Sequence, residues 1–189
     1  MTVVAAIASG GKKDEVKFTP GPASSYESKQ TNAGVTIAAM PYVSEEMAHT
    51  AFGKTNPNHY GFLPILVIIQ NDSTQALKLD HMRVKYSVSG GGEIEATPPR
   101  EMAATLNHAD RPVVQSPIPG LGRKKNPLSN WEMEGHPFAA RLLPPHDSAS
   151  GFFYFQSSDR ANASIVIDGM QEAGSGKELF YFEIPLGGK

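Results

Sequence analysis

The sequence contains no cysteine. That excludes disulfides, thiolate metal sites, cysteine nucleophiles and lipid attachment through an N-terminal cysteine. It leaves the compartment open, because a protein with a large enough core needs no disulfides. Charge is also sparse: 19% of residues are charged and the formal net charge is −2, so no overall basic field recruits nucleic acid or anionic lipid. Long apolar runs are missing. The stretch Val3 to Ala8 is too short for a membrane span, so no transmembrane segment is expected. Catalytic signatures are missing as well. The six histidines form no H-x-x-x-H or H-E-x-x-H pair, and no serine sits in a G-x-S-x-G elbow. "GSGK" at Gly174 to Lys177 lacks the rest of a phosphate loop and precedes a strand pattern, so it reads as a hairpin turn. Asp72 and Asp147 belong to no D-x-D-x-D run and read as turn formers. The basic cluster "GRKK", Gly122 to Lys125, is too isolated to be a nucleic-acid footprint.

What the chain does have is punctuation. Eighteen glycines and fifteen prolines in 189 residues divide it into short apolar pieces, as in a protein of many turns and short strands. Residues 1–33 read as an apolar tip followed by an extended polar leader without periodicity. Residues 34–189 read as a single domain. Within it, "GVTIAAMPY" alternates as a first strand, and "SEEMAHTAFG" is a short helix with Ser44 as cap and Gly53 as stop. Phe62 to Ile69 is a near-continuous apolar run, and a turn at "QNDST" leads into a strand from Leu77 to Val88 interrupted at His81. This pair fits a sheet with one buried face. "TPPREMAATLNHAD" suits a second short helix. Arg111 to Pro137, around the lone Trp131, is a long irregular excursion. "GFFYFQ", "ANASIVIDGM" and "GKELFYFEIPL" are the closing strands. The class expected is all-β: an antiparallel immunoglobulin-like β-sandwich with one or two short helices and that excursion.

The segments "GFLPILVIIQNDSTQALKLD", "LPPHDSASGFFYFQ" and "GKELFYFEIPL" in this order resemble uncharacterised secreted bacterial proteins with an immunoglobulin-like sandwich. The resemblance covers roughly Gly34 to Leu186 and rests on strand and turn motifs of low specificity. It implies a fold and an exported, periplasmic or extracellular location, and carries no activity, cofactor or catalytic residue. The Val3 to Ala8 run, with Ala6 and Ala8 before Ser9, is also similar to the end of an export signal.

In the aromatic strand that follows Gly151, Phe152 and Tyr154 share one face while Phe153 and Phe155 share the other. In "ELFYFEI", Leu179 and Tyr181 lie opposite Phe180, Phe182 and Ile184. The pattern places Phe153, Phe155, Phe180 and Phe182 in the core and leaves Tyr154 and Tyr181 on outer faces with wet hydroxyls.

The expected function is a non-enzymatic accessory or structural subunit of an envelope or extracellular assembly. It would act on protein partners, self-association included, and need no cofactor or metal. The alternative is a glycan or small-ligand binding module. A histidine site built from His59 and His146 is the remaining candidate and has no spacing to support it. The contact residues expected are Val3, Val4, Ile7, Trp131, Tyr154 and Tyr181. Residues Thr2 to Ala8 suit a strand or apolar plug on the chain's own sheet edge or a neighbour's. The leader from Gly10 to Ala33 would reach up to about 80 Å when extended.

Overall fold

The computed structural model describes residues 18–102 and 136–187. The chain enters through β1 (Lys29–Asn32) and β2 (Val35–Pro41), then the helix α1 (Glu45–Phe52). β3 (Leu63–Asn71), β4 (Leu77–Lys78), β5 (Arg83–Val88) and β6 (Gly92–Glu95) follow. After residue 136 come β7 (Leu142–Leu143), β8 (Asp147–Phe155), β9 (Ala163–Asp168), β10 (Gln171–Glu172) and β11 (Phe182–Pro185). The eleven strands of the described residues pair antiparallel, in sheets ordered β1-β2-β3-β8, β11-β9-β5-β6 and the small β10-β4-β7. The molecule is a β-sandwich.

Its main core lies between the two four-stranded sheets. Ile37, Leu63, Ile65, Val67 and Ile69 from the first meet Val84, Tyr86, Ile165, Ile167, Phe182 and Ile184 from the second. The alternate residues of the first sheet are not released to water. Ala38, Leu66, Ile68, Phe152 and Tyr154 pack under Ala48, Ala51 and Phe52 of α1, with Ala23, Tyr42, Phe62 and Met102. The first sheet is therefore buried on both faces, against the expectation of a one-faced sheet. That is the reason β3 reads as an unbroken apolar run.

The helix forms where its signals stand. The Ser44 hydroxyl accepts from the Met47 N–H, Glu45 and Glu46 occupy the positive end, and the Gly53 N–H donates to the His49 carbonyl. A further helical turn begins at residues 99–102.

Four sequence expectations are corrected. Lys29–Asn32, read as leader, is the edge strand β1, and the packed structure already includes Phe18. The strand from Leu77 to Val88 is two strands in different sheets, β4 and β5, separated at Asp80 to Met82. Tyr154 is 1% exposed and belongs to the second core. Phe180 is 76% exposed, because β11 begins only at Phe182.

The β1–β2 hairpin turns through Ala33 and Gly34, both at positive φ (49° and 77°). A two-residue turn of this kind suits Asn-Gly, and alanine there is strained by its Cβ. Ala33→Asn is expected to stabilise the protein by about 0.5–1 kcal/mol, read as a higher midpoint in thermal or urea unfolding.

Three phenols are held protonated by the fold. Burial, with a contribution from Tyr26, pushes Tyr42 up to about 12. Burial raises Tyr86 against the opposing N–H of Arg160, and raises Tyr154 well above the ordinary value. A phenol whose folded pKa exceeds its unfolded value near 10 contributes stability in full below that pH. The contribution is lost as pH rises from that value through the higher folded pKa. Stability is expected to stay level to about pH 10 and then fall steeply. The tyrosinate absorbance contributed by Tyr42, Tyr86 and Tyr154 should appear together with loss of circular dichroism rather than before it.

Candidate functional site, an open seam between the sheets

The two long sides of the sandwich differ. Along one, the sheets are laced together: the Glu183 N–H of β11 donates to Gln30 Oε1 of β1 at 2.7 Å, and the Gly187 N–H donates to Ser28 Oγ at 3.2 Å. Along the other, β8 is the edge of the first sheet and β6, with β5 behind it, the edge of the second, and among the described residues no strand pairing joins the two. The chain leaves β6 at Ala96 and crosses to β8, where the Thr97 N–H donates to the Tyr154 carbonyl at 2.7 Å. This crossing closes one end of the seam.

Beside it, residues 136–138 lie on the outer edge of β8. The Phe152 N–H donates to the His136 carbonyl at 2.9 Å, and the Phe138 N–H donates to the Phe152 carbonyl at 3.2 Å. Gly151 makes this approach possible, since a Cβ there would lie 2.3 Å from the Phe138 Cα. Phe138 then stacks on Phe153, ring centroids 5.3 Å apart and planes 24° apart.

Between this stack and β5–β6 opens a cleft of about 380 Å³. Its apolar walls include Met82, Val84, Ala96, Phe138 and Phe153, and Arg83, Lys85 and Glu95 stand along it. The cations are occupied. Lys85 Nζ donates to Glu93 Oε2 at 2.6 Å, which raises the Lys85 pKa, and Arg83 Nε donates to Asp168 Oδ1 at 2.6 Å, which raises that of Arg83. Exposed pairs of this kind contribute little stability. They do make the rim a field of alternating charge with little net sign.

A second hollow, of about 490 Å³ and more polar, lies among Asp80, His81, Arg83, Gly169, Gln171 and Glu178. Among the described residues no three His, Cys, Asp or Glu side chains come together as a metal set.

The described residues among those singled out in the sequence do not converge here. Val3, Val4, Ile7 and Trp131 lie outside the described residues, as does most of the excursion. Tyr154 contributes to a wall of the cleft while its side chain is buried, so it is no exposed aromatic. Tyr181 is 61% exposed beside Phe180 on the approach to β11. His59 and His146 are far apart. His59 precedes β3 and bonds Glu45 at 2.5 Å, whereas the His146 N–H donates to the Asn71 carbonyl at the far end of β3. Nine residues of strand separate them by roughly 27 Å. The Glu45 carboxyl is held below its usual range by hydrogen bonds from Asn56 first and His59 second. His59 and His146 therefore form no metal pair. No sequence motif marks the cleft residues Phe138 and Ala96; the available signal is the "HPF" that returns the chain to the edge of β8, where Gly151 stands in mid-strand.

No family model matches the chain, and no curated protein matches it. A solved uncharacterized β-sandwich protein from Clostridium difficile 630 is similar in structure, at 11% sequence identity and a TM-score of 0.31, over 84% of this chain and 90% of that one. The likeness concerns the fold alone. Among the described residues no helix is long and apolar enough to cross a membrane.

Proposed function

We propose that this protein is a non-catalytic subunit of a cell-envelope or extracellular assembly and that it acts by protein contact through the open seam. One observation carries the reading: among the described residues the sandwich is laced along β1–β11 and unpaired along β8–β6, where an apolar cleft lies against the edge strand β6. A sandwich that needed only to be stable would gain by closing both sides, because exposed apolar clefts and open edges invite association. Export is supported by the short apolar run ending in small residues at Val3 to Ala8. The glycan-binding alternative loses Tyr154 from its platform and keeps Tyr181.

The test compares the whole chain with an Ala96→Arg variant, which fills the cleft, as bait in the native host. A defined stoichiometric partner held by the wild type and released by a variant of unchanged thermal midpoint supports the reading. An identical partner set for both, or none for either, overturns it.

A further inference from the structure

We infer that the free side of β6 takes up an extended segment of a partner protein in which apolar residues alternate with lysine or arginine. This rests on the seam being the contact surface. The hydrogen-bond parity of β6 follows from its partner. The Ala96 N–H donates to the Val84 carbonyl, and the register pairs Tyr86 with Ile94. In an antiparallel pair every second residue bonds across. Ile94 and Ala96 thus spend their backbone groups on β5, and the N–H and C=O of Glu93 and Glu95 point away from the sheet. Among the described residues no strand pairs with that side.

The side chains alternate too. Ile94 and Ala96 face the core, packed against it, while Glu93 and Glu95 stand exposed on the outer face in register with Ser87 and Lys85. A strand added about 4.8 Å beyond β6 would send its inward side chains toward the cleft walled by Phe138 and Phe153. Its outward side chains would lie against the two glutamates.

Charge selects the occupant. A second copy of β6 would set glutamate against glutamate, and like charges on facing strands oppose pairing. Lys85 already neutralises Glu93, whereas Glu95 makes no direct ion pair among the described residues and feels only the field of Arg83, which is bonded to Asp168. Alternating apolar and basic residues satisfy the cleft, the edge and the carboxylate together, in the strand-addition mode of peptide recognition.

The experiment uses the whole chain and three fluorescein-labelled peptides of roughly six residues: alternating Val and Lys, alternating Val and Glu, and the Val–Lys peptide N-methylated at alternate backbone nitrogens. Anisotropy titration should show saturable binding of the Val–Lys peptide. Methylation and the acidic sequence should each weaken it by at least tenfold, and Glu95→Lys should exchange the preference between the basic and acidic peptides. Binding that ignores methylation or charge, or no binding of the basic peptide, overturns strand addition. If a native partner is nevertheless released by Ala96→Arg, the seam stands as the contact surface and only its β6 occupant is wrong.

Discussion

Gly151→Ala should be among the most damaging single substitutions in this protein, with a loss of about 3 kcal/mol or more in urea unfolding. Gly151 is opposite Val67 in the middle of β8, and its backbone is ordinary extended strand, so glycine is not needed there for conformation. It is needed for space. An added Cβ would meet the Phe138 Cα at 2.3 Å, the Phe138 nitrogen at 2.5 Å and the Pro137 carbonyl carbon at 2.8 Å. All three atoms are backbone and no rotamer change relieves them. The strand and the 136–138 segment must separate, which breaks the bonds of Phe152 to His136 and Phe138 and unstacks Phe138 from Phe153. Ser150→Ala, one residue away and exposed, should change stability by less than about 0.5 kcal/mol. If Gly151→Ala unfolds at the wild-type midpoint, the close crossing is not present in solution. A loss of stability in Gly151→Ala should also abolish any partner binding at the seam, because the same contact builds the cleft wall.

Asn71→Ala should remove about 3–5 kcal/mol. This amide is fully buried at the end of β3. Its Nδ2 lies 2.8 Å from the Gln75 carbonyl, 2.9 Å from that of Pro144 and 3.3 Å from that of Leu143. Its Oδ1 accepts from the Ser73 N–H at 3.1 Å and the Ser73 hydroxyl at 2.6 Å. One side chain thus fastens the β3–β4 turn to the segment that enters β8. Truncation loses these bonds and leaves the carbonyl of buried Leu143 without the amide donor, while the Gln75 carbonyl keeps the Ser73 hydroxyl. Asn71→Asp should be at least as harmful at neutral pH, since a carboxylate facing three carbonyls is favoured only when protonated. Its folded pKa would stand above the unfolded value, so its stability should fall further as pH rises through the acidic range. A pH-independent deficit in Asn71→Asp would show that the amide's donors are not the important half.

The sheet class, the short helix and most strands were legible because they depend on local chemistry. Ser44, Glu45, Glu46 and Gly53 specify a helix whatever surrounds it, and period-two alternation in Val84, Tyr86 and Val88 marks a strand. The parity of "FFYF" also held: Phe153 and Phe155 face the sandwich core, Phe152 and Tyr154 the other side. Parity assigns sides and says nothing about what covers each side. That Tyr154 is buried follows from α1 and the Phe62 turn lying over the first sheet, contacts made by residues distant in sequence.

β1 was invisible for the opposite reason. Lys29–Asn32 is polar on every residue, so it carries no hydrophobic period, and only its hairpin pairing with β2 makes it a strand. Phe180 misled because it continues an aromatic pattern past the point where β11 stops pairing with β9, which begins at Phe182 opposite Ile167.

By itself, the sequence determined the alternation of short strands, the capped helix, and the absence of cysteine chemistry and known catalytic motifs. Those follow from which residues are present and from neighbours within a few positions. Only the tertiary structure decided that the first sheet is covered on both faces, that one side of the sandwich is laced while β6 and β8 on the other side stay unpaired with each other among the described residues, and that Gly151 lets Phe138 lie on Phe153 beside them. Each of these depends on which surfaces meet after the chain has doubled back, and local periodicity carries no record of that choice.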